Sequence, residues 1–231
     1  MKGFRDLIIN FVINFTLLIN KLFNMAYVAI ITGDIVNSSK IQGEDRTVMV
    51  KSIKDLPLKM GHIGLDAVEL YRGDSFQMHI NKPENSVLIA VLTRALLRKK
   101  NKNWDARLAI GVGTVEYKGG DIVTSDGEAF KNSGREFDNL KKRRLSILTP
   151  WVDVNEELNV STAFADSIIT NWSDIQAEAI FISLLEKVTQ KEIASKLGKT
   201  SQTISKVMTS GKESLVSMYV ERFAKIISDK I

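Results

Sequence analysis

Three observations predict an α+β chain (α/β in the broad sense), a ferredoxin-like sandwich followed by an all-α helix-turn-helix module, within 231 residues. Between Met25 and about Pro150 the apolar spacing alternates between strand and helix periods in the order β-α-β-β-α-β and then α-β. Beyond Trp151 the signals are helical, with capping boxes at Ser173 and Thr189. Finally, 189–206 carries the caps and turn glycine of two short helices in tandem.

Val28 to Thr32 is a short apolar run and the first strand, while Asp45 to Met60 spaces Val48, Val50, Ile53 and Leu56 as a helix. Leu65 to Tyr71 and Ser75 to Ile80 read as two strands joined by a hairpin at Gly73-Asp74. Pro83 and Glu84 open a helix through Leu97, because a first turn leaves the missing proline N–H without consequence. Ala106 to Val115 is the next strand, Glu128 to Lys142 a helix and Leu145 to Thr149 a further strand. That order places helices on one face of a largely antiparallel sheet. After Trp151, Asn155 to Asn171 makes a connecting helix, and the Ser173/Gln176 box starts the helix Asp174–Lys187. The chain thus divides into an apolar extension (1–24), a sheet domain (25–151), a connecting helix (152–172) and a helix-turn-helix domain (173–231).

The absence of cysteine excludes disulfides, thiolate catalysis and Cys-ligated zinc, and His62 and His79 are too few for a histidine metal site. Any metal is then a hard ion on carboxylates. In the first 24 residues Leu7 to Phe23 is apolar, but Asn10, Asn14 and Asn20 interrupt it and it is short for a spanning helix. No small-residue cleavage site follows, so a secretory signal is not expected and the location is cytoplasmic. Met25, directly before the first strand, is the expected natural start, with 1–24 a translated upstream extension; a membrane-surface or anchoring helix is the alternative.

The net charge of +5 is not concentrated in the C-terminal module, where 172–231 holds nine Lys/Arg against seven Asp/Glu. The local cluster Lys191, Lys196, Lys199, Lys206 and Lys212 is the better sign of a nucleic-acid partner. The runs Arg98-Lys99-Lys100 with Lys102, and Lys141-Lys142-Arg143-Arg144, read as solvated helix ends.

In 189–206, Ala194 is small where two helices must cross, and Gly198 supplies the positive φ of a helix C-terminus. Thr189 and Glu192 form a capping box, while Ile193, Leu197, Ile204 and Val207 supply apolar contacts. The second helix starts near Thr200 or Ser201 and exposes Ser201, Gln202, Thr203, Ser205 and Lys206, side chains able to bond base edges and phosphates. DNA is the partner this predicts; the plain alternative is a helical hairpin that merely packs, or one that binds protein. The segment is similar to the helix-turn-helix of bacterial regulators and sigma-factor-like proteins.

Asp34 follows the first strand and Asp74 sits in the hairpin, and in a ferredoxin-like sheet the first strand lies beside the third. The two carboxylates would converge and hold Mg²⁺, or Mn²⁺ in its place, which would bind nucleotide phosphates. The backbone at Ile35, Val36, Asn37 and Ser38 would cradle those phosphates. Ordinary turn chemistry accounts for the same residues without a ligand.

Asp34-Ile35, Gly73-Asp74-Ser75-Phe76, Arg107-Leu108-Ala109-Ile110-Gly111-Val112-Gly113, Gly127 and Arg135 resemble, in order and spacing, the motifs of class III nucleotidyl cyclase domains over roughly 25–150. The resemblance implies that Asp34 and Asp74 bind metal and that Arg135 faces phosphate across a homodimer. Lys131 stands where that family has an asparagine, and Val68-Glu69-Leu70-Tyr71-Arg72 holds no purine-selecting lysine. Beginning at Met25 the chain is also similar to the SatD family of bacterial proteins. The matching residues are Ile31 to Ser38, Arg72 to Gln77, Ser125 to Phe130, Ser133-Gly134-Arg135 and the terminal helix-turn-helix. The expectation is a dimeric DNA-binding regulator whose nucleotidyl cyclase-like domain binds a purine nucleotide with Mg²⁺, with no catalytic residue assigned. The alternative is a divergent cyclase or phosphotransferase working through Asp34, Asp74, Lys131 and Arg135.

Overall fold

The computed structural model describes residues 27–71, 73–115 and 126–231. The extension 1–24, the start at Met25 and the motif residues Arg72 and Ser125 lie outside them. The sheet contains β1 (Tyr27–Ile35), β2 (Leu65–Tyr71), β3 (Ser75–Ile80), β4 (Ala106–Thr114) and β5 (Leu145–Leu148), in the order β2-β3-β1-β4-β5. β1 pairs antiparallel with β3 and β4, and β2 pairs antiparallel with β3. These four have the ferredoxin-like order, and β5 extends it in parallel to β4. The chain is an α+β protein.

The helices are α1 (Gly43–Lys54), α2 (Leu56–Met60), α3 (Ser86–Lys100), α4 (Glu128–Asn139), α5 (Val152–Thr170), α6 (Asp174–Glu186), α7 (Gln190–Leu197), α8 (Ser201–Ser210) and α9 (Glu213–Ser228). The single helix expected over 45–60 is two, because Pro57 cannot donate to the carbonyl four residues back and instead occupies the first turn of α2. α4 stops at Asn139 rather than Lys142, and Lys141 has φ 50°, outside the helical range. α9, to which no sequence signal was assigned, buries Val216, Phe223 and Ile227.

Helices cover both faces of the sheet, not one. Ala29 and Ile31 of β1, Met78 and Ile80 of β3 and Ile110 and Val112 of β4 share the main core with α1 and α3. The alternate residues Val28 and Ile30 turn to the other face and pack with Ala129 of α4. Opposite them stand Gly113 and Gly111. A Cβ on Gly111 would lie 2.2 Å from the Ala129 carbonyl oxygen and 2.3 Å from the Ser133 nitrogen, so α4 backbone rests directly on β4. The main core continues through Leu158 and Ile169 of α5 and Ile180 of α6 to Phe223 and Ile227 of α9.

A buried polar cluster crosses this core. Arg94 of α3 is fully buried, with Nε and Nη2 donating to Asp105 Oδ1 and Oδ2 at 2.8 and 2.9 Å. Its Nη1 donates to Asp166 of α5 at 2.6 Å and its Nη2 also to Thr170 at 2.8 Å. Arg144 Nη1 donates to Asp105 at 2.8 Å. Arg98 leans on the same carboxylate at 3.3 Å, and its Nε and Nη2 donate to the Trp172 carbonyl at 3.0 and 2.6 Å. Burial raises the Asp105 pKa, but the charge and hydrogen bonds of Arg94, with those of Arg144 and the Ala106 amide, outweigh it and hold Asp105 below the usual carboxylate value. Arg98 and Arg144 are therefore not the solvated helix ends that their charge runs suggested. A carboxylate beneath them draws both inward.

Candidate functional site

The expected convergence of Asp34 and Asp74 begins with the register of the sheet. β1 pairs Asp34 with Ser75 on one side and with Arg107 on the other. The Ile35 N–H donates to the Asp74 carbonyl at 3.1 Å, which pins the hairpin tip to the end of β1. Both carboxylates thus lie at one end of the sheet. Each is already engaged: Ser38 Oγ donates to Asp74 Oδ2 at 2.5 Å, and Arg107 grips Asp34 in a two-point ion pair, with Nε donating to Oδ1 at 2.8 Å and Nη2 to Oδ2. The hydrogen bonds to Asp34 raise the Arg107 pKa. The Arg107 guanidinium lies 5.5 Å from the centre of the Phe137 ring of α4.

Among the described residues no group of three or more His, Cys, Asp or Glu converges on a point. A hard cation here would have two carboxylates and its own water, a set Mg²⁺ accepts. It would also have to compete with Arg107 for Asp34. Of the four residues expected to cradle phosphate, Ile35 and Val36 spend their amides on the Asp74 and Asp105 carbonyls. Asn37, with φ 54°, and Ser38 begin the turn 38–40 that follows the strand. Lys131 and Arg135 lie on the exposed side of α4, Lys131 within 3.8 Å of Asp126 at the start of that helix. Inward, Ser133 accepts from Thr32 Oγ1 at 3.0 Å and Gln77 donates to the same hydroxyl at 3.4 Å. These contacts seat α4 against the strand that carries Asp34.

The second candidate site is built by the α7–α8 pair. Thr189 Oγ1 accepts from the Glu192 N–H at 3.3 Å and Glu192 returns an oxygen to the Thr189 N–H at 2.8 Å, completing the capping box. The Thr189 hydroxyl, donating to the Glu192 carboxylate at 2.7 Å, and then the Thr189 N–H lower the Glu192 pKa. Gly198, at φ 61°, ends α7, with the Lys199 N–H donating to the Ala194 carbonyl at 2.9 Å. Thr200 then caps α8 by accepting from the Thr203 N–H at 3.1 Å. Ile193, Ala194, Ile204 and Met208 are buried against Ala179 and Ile182 of α6, leaving Ser201, Gln202, Thr203 and Lys206 exposed and Ser205 half-buried. Lys196 is paired with Glu186, while Lys191, Lys199, Lys206 and Lys212 are exposed. The Trp172 indole N–H donates to the carbonyl of Gly211, just past the end of α8, at 2.7 Å.

Residue-type reasoning missed Arg107, although Asp34 and Arg107 stand opposite once β1 and β4 are paired. It also missed Asp105 and Asp166, lone acidic residues in apolar surroundings with no local signature.

No family model matches the sequence, and no curated protein does. Among solved structures, the active GGEEF domain of a diguanylate cyclase from Vibrio cholerae is similar at 17% identity, over 57% of this chain and 88% of its own, with a TM-score of 0.39.

Proposed function

We propose that this chain is a DNA-binding regulatory protein whose α8 face meets the major groove and whose sheet unit responds to a ligand. The observation that carries the proposal is the α7–α8 pair itself. Both helices are capped at their N-termini, the turn between them is fixed by Gly198, and the polar residues of α8 face solvent while its apolar residues are spent on α6. A helix so held presents Ser201, Gln202, Thr203 and Lys206 as a rigid polar surface suited to base edges and phosphates. In the sheet unit Asp34 and Asp74 would hold Mg²⁺ and a purine nucleotide, with Asn37, Ser38, Lys131 and Arg135 toward the phosphates. Pairing of two copies, as the cyclase resemblance implies, would set two α8 helices about one DNA turn, or a multiple of it, apart. Mg²⁺ bound there would have to displace Arg107, which neutralises the Asp34 carboxylate.

Fluorescence anisotropy with genomic DNA fragments across a salt series tests the proposal. Binding should weaken steeply with salt, Lys206→Ala should weaken it on all fragments, and Gln202→Ala should narrow the gap between preferred and random fragments. Equal binding by wild type and both variants would refute the α8 surface.

A further inference from the structure

Where β1 leaves the sheet, α3 ends and the chain approaches β5, a cleft of about 550 Å³ opens. Its walls carry four cationic side chains, Lys40, Arg98, Lys102 and Arg144, against a single carboxylate, Asp45. Among the described residues Lys40 and Lys102 form no ion pair, and both arginines share one oxygen of Asp105 with Arg94. Three guanidiniums therefore rest on the two buried carboxylates Asp105 and Asp166, leaving positive charge uncompensated at the cleft wall. Burial lowers the Arg98 pKa, Asp105 opposes that and the neighbouring Arg94 and Arg144 add to it. The guanidinium stays charged all the same. Arg98 is thus a cation held in place at a cost, beside a space of the volume that small ligands occupy.

The buried ends of this site are built rather than incidental. Arg98 is fixed by the Trp172 carbonyl and Arg144 by Asp105, so two planar donor groups border the cleft with their positions set by the core. Such groups suit phosphate oxygens, and the two lysines add charge at lower geometric demand. We propose that this cleft binds a phosphorylated small molecule, with Arg98 and Arg144 on its phosphate and Lys40 and Lys102 supplying further charge. Val36 and Asn37 also line the cleft, so it adjoins the Asp34–Asp74 end of β1, but its four cations are other residues than Lys131 and Arg135 on α4, and it needs neither metal nor DNA.

Titration calorimetry of the full chain with inorganic pyrophosphate, at constant ionic strength and without divalent metal, tests the assignment. The wild type should bind, Lys40→Ala/Lys102→Ala should bind at least about tenfold more weakly, and Lys131→Ala/Arg135→Ala should match the wild type within about twofold. Far-ultraviolet circular dichroism of both double variants checks that they fold; Lys40 is an exposed side chain on a turn, and Lys102 lies in the exposed loop after α3. No binding by the wild type, unchanged binding by Lys40→Ala/Lys102→Ala, or loss confined to Lys131→Ala/Arg135→Ala would overturn the proposal. Pyrophosphate binding is read without DNA, so failure of the α8 surface leaves this result intact, and the reverse holds as well.

Discussion

Replacing Arg94 by Met keeps much of the side-chain length and removes the charge from a site with no solvent access. Four hydrogen bonds disappear, two to Asp105, one to Asp166 and one to Thr170. Asp105 retains Arg98, Arg144 and the Ala106 amide, so most of the penalty falls on Asp166, left with the Arg144 amide and Thr170. Breaking a buried pair by removing one partner costs about 3–5 kcal/mol, and the residual partners of Asp105 place this variant near about 3, or roughly 6–12 °C in Tm for a chain of this size. The pH dependence separates a charge effect from lost packing. In the wild type Asp105 titrates below its ordinary value, so its stabilisation is present above the unfolded pKa of about 3.9 and is lost as the pH falls through the folded value. Arg94→Met removes the largest of the causes that lower this pKa. The deficit against wild type should therefore be full above about pH 4 and shrink as the pH falls further toward the folded value. Urea denaturation at about pH 7 and about pH 3 reads this directly. A loss under about 1 kcal/mol, or a deficit that grows on acidification, would refute the assignment of Arg94 as the counter-charge of Asp105.

Two further outcomes are expected. Gly111→Ala pushes a methyl into the α4 backbone at 2.2–2.3 Å and should cost about 1–3 kcal/mol by thermal unfolding, whereas Gly134→Ala, with open space around its Cβ position, should be neutral or stabilising. Arg107→Ala removes the cation that occupies Asp34 and should tighten Mn²⁺ binding, followed by electron paramagnetic resonance, about fivefold or more, since a unit charge at 4 Å is worth about 1–4 kcal/mol; equal affinities would show that metal and Arg107 do not compete.

Strand identity was legible because β2 and β3 are short and bounded by Gly64 and Gly73, and because β3 alternates half-buried and buried residues along its length. The helical pair was legible for a related reason, since caps and a turn glycine are local chemistry written within four residues of where they act. What sequence did not disclose is set by contacts far apart along the chain. Arg107 meets Asp34 across 73 positions, and Arg94 meets Asp166 across 72. The face occupied by α4 also escaped, because Gly111 and Gly113 are ordinary strand residues until a helix backbone is known to lie on them. Within the charge runs at 98–100 and 141–144 only Arg98 and Arg144 depart from the expected solvation, because both turn to the buried Asp105, while Lys100 and Lys141 to Arg143 are exposed.

The seam at Arg94 and Arg98 bears on how such a chain can be cut or recombined. One helix of the sheet unit, α3, sends two guanidiniums outward, one to a carboxylate on α5 and one to the carbonyl of Trp172. A chimera that placed α7 and α8 on another scaffold would lose the Trp172 bond to Gly211 unless Trp172 travelled with them, and Trp172 in turn needs Arg98. The α7–α8 pair is portable only with α3, α5 and α6 attached, so grafts or shuffling events that succeed should fall before β1 or after α9 rather than at the apparent boundary near Trp151.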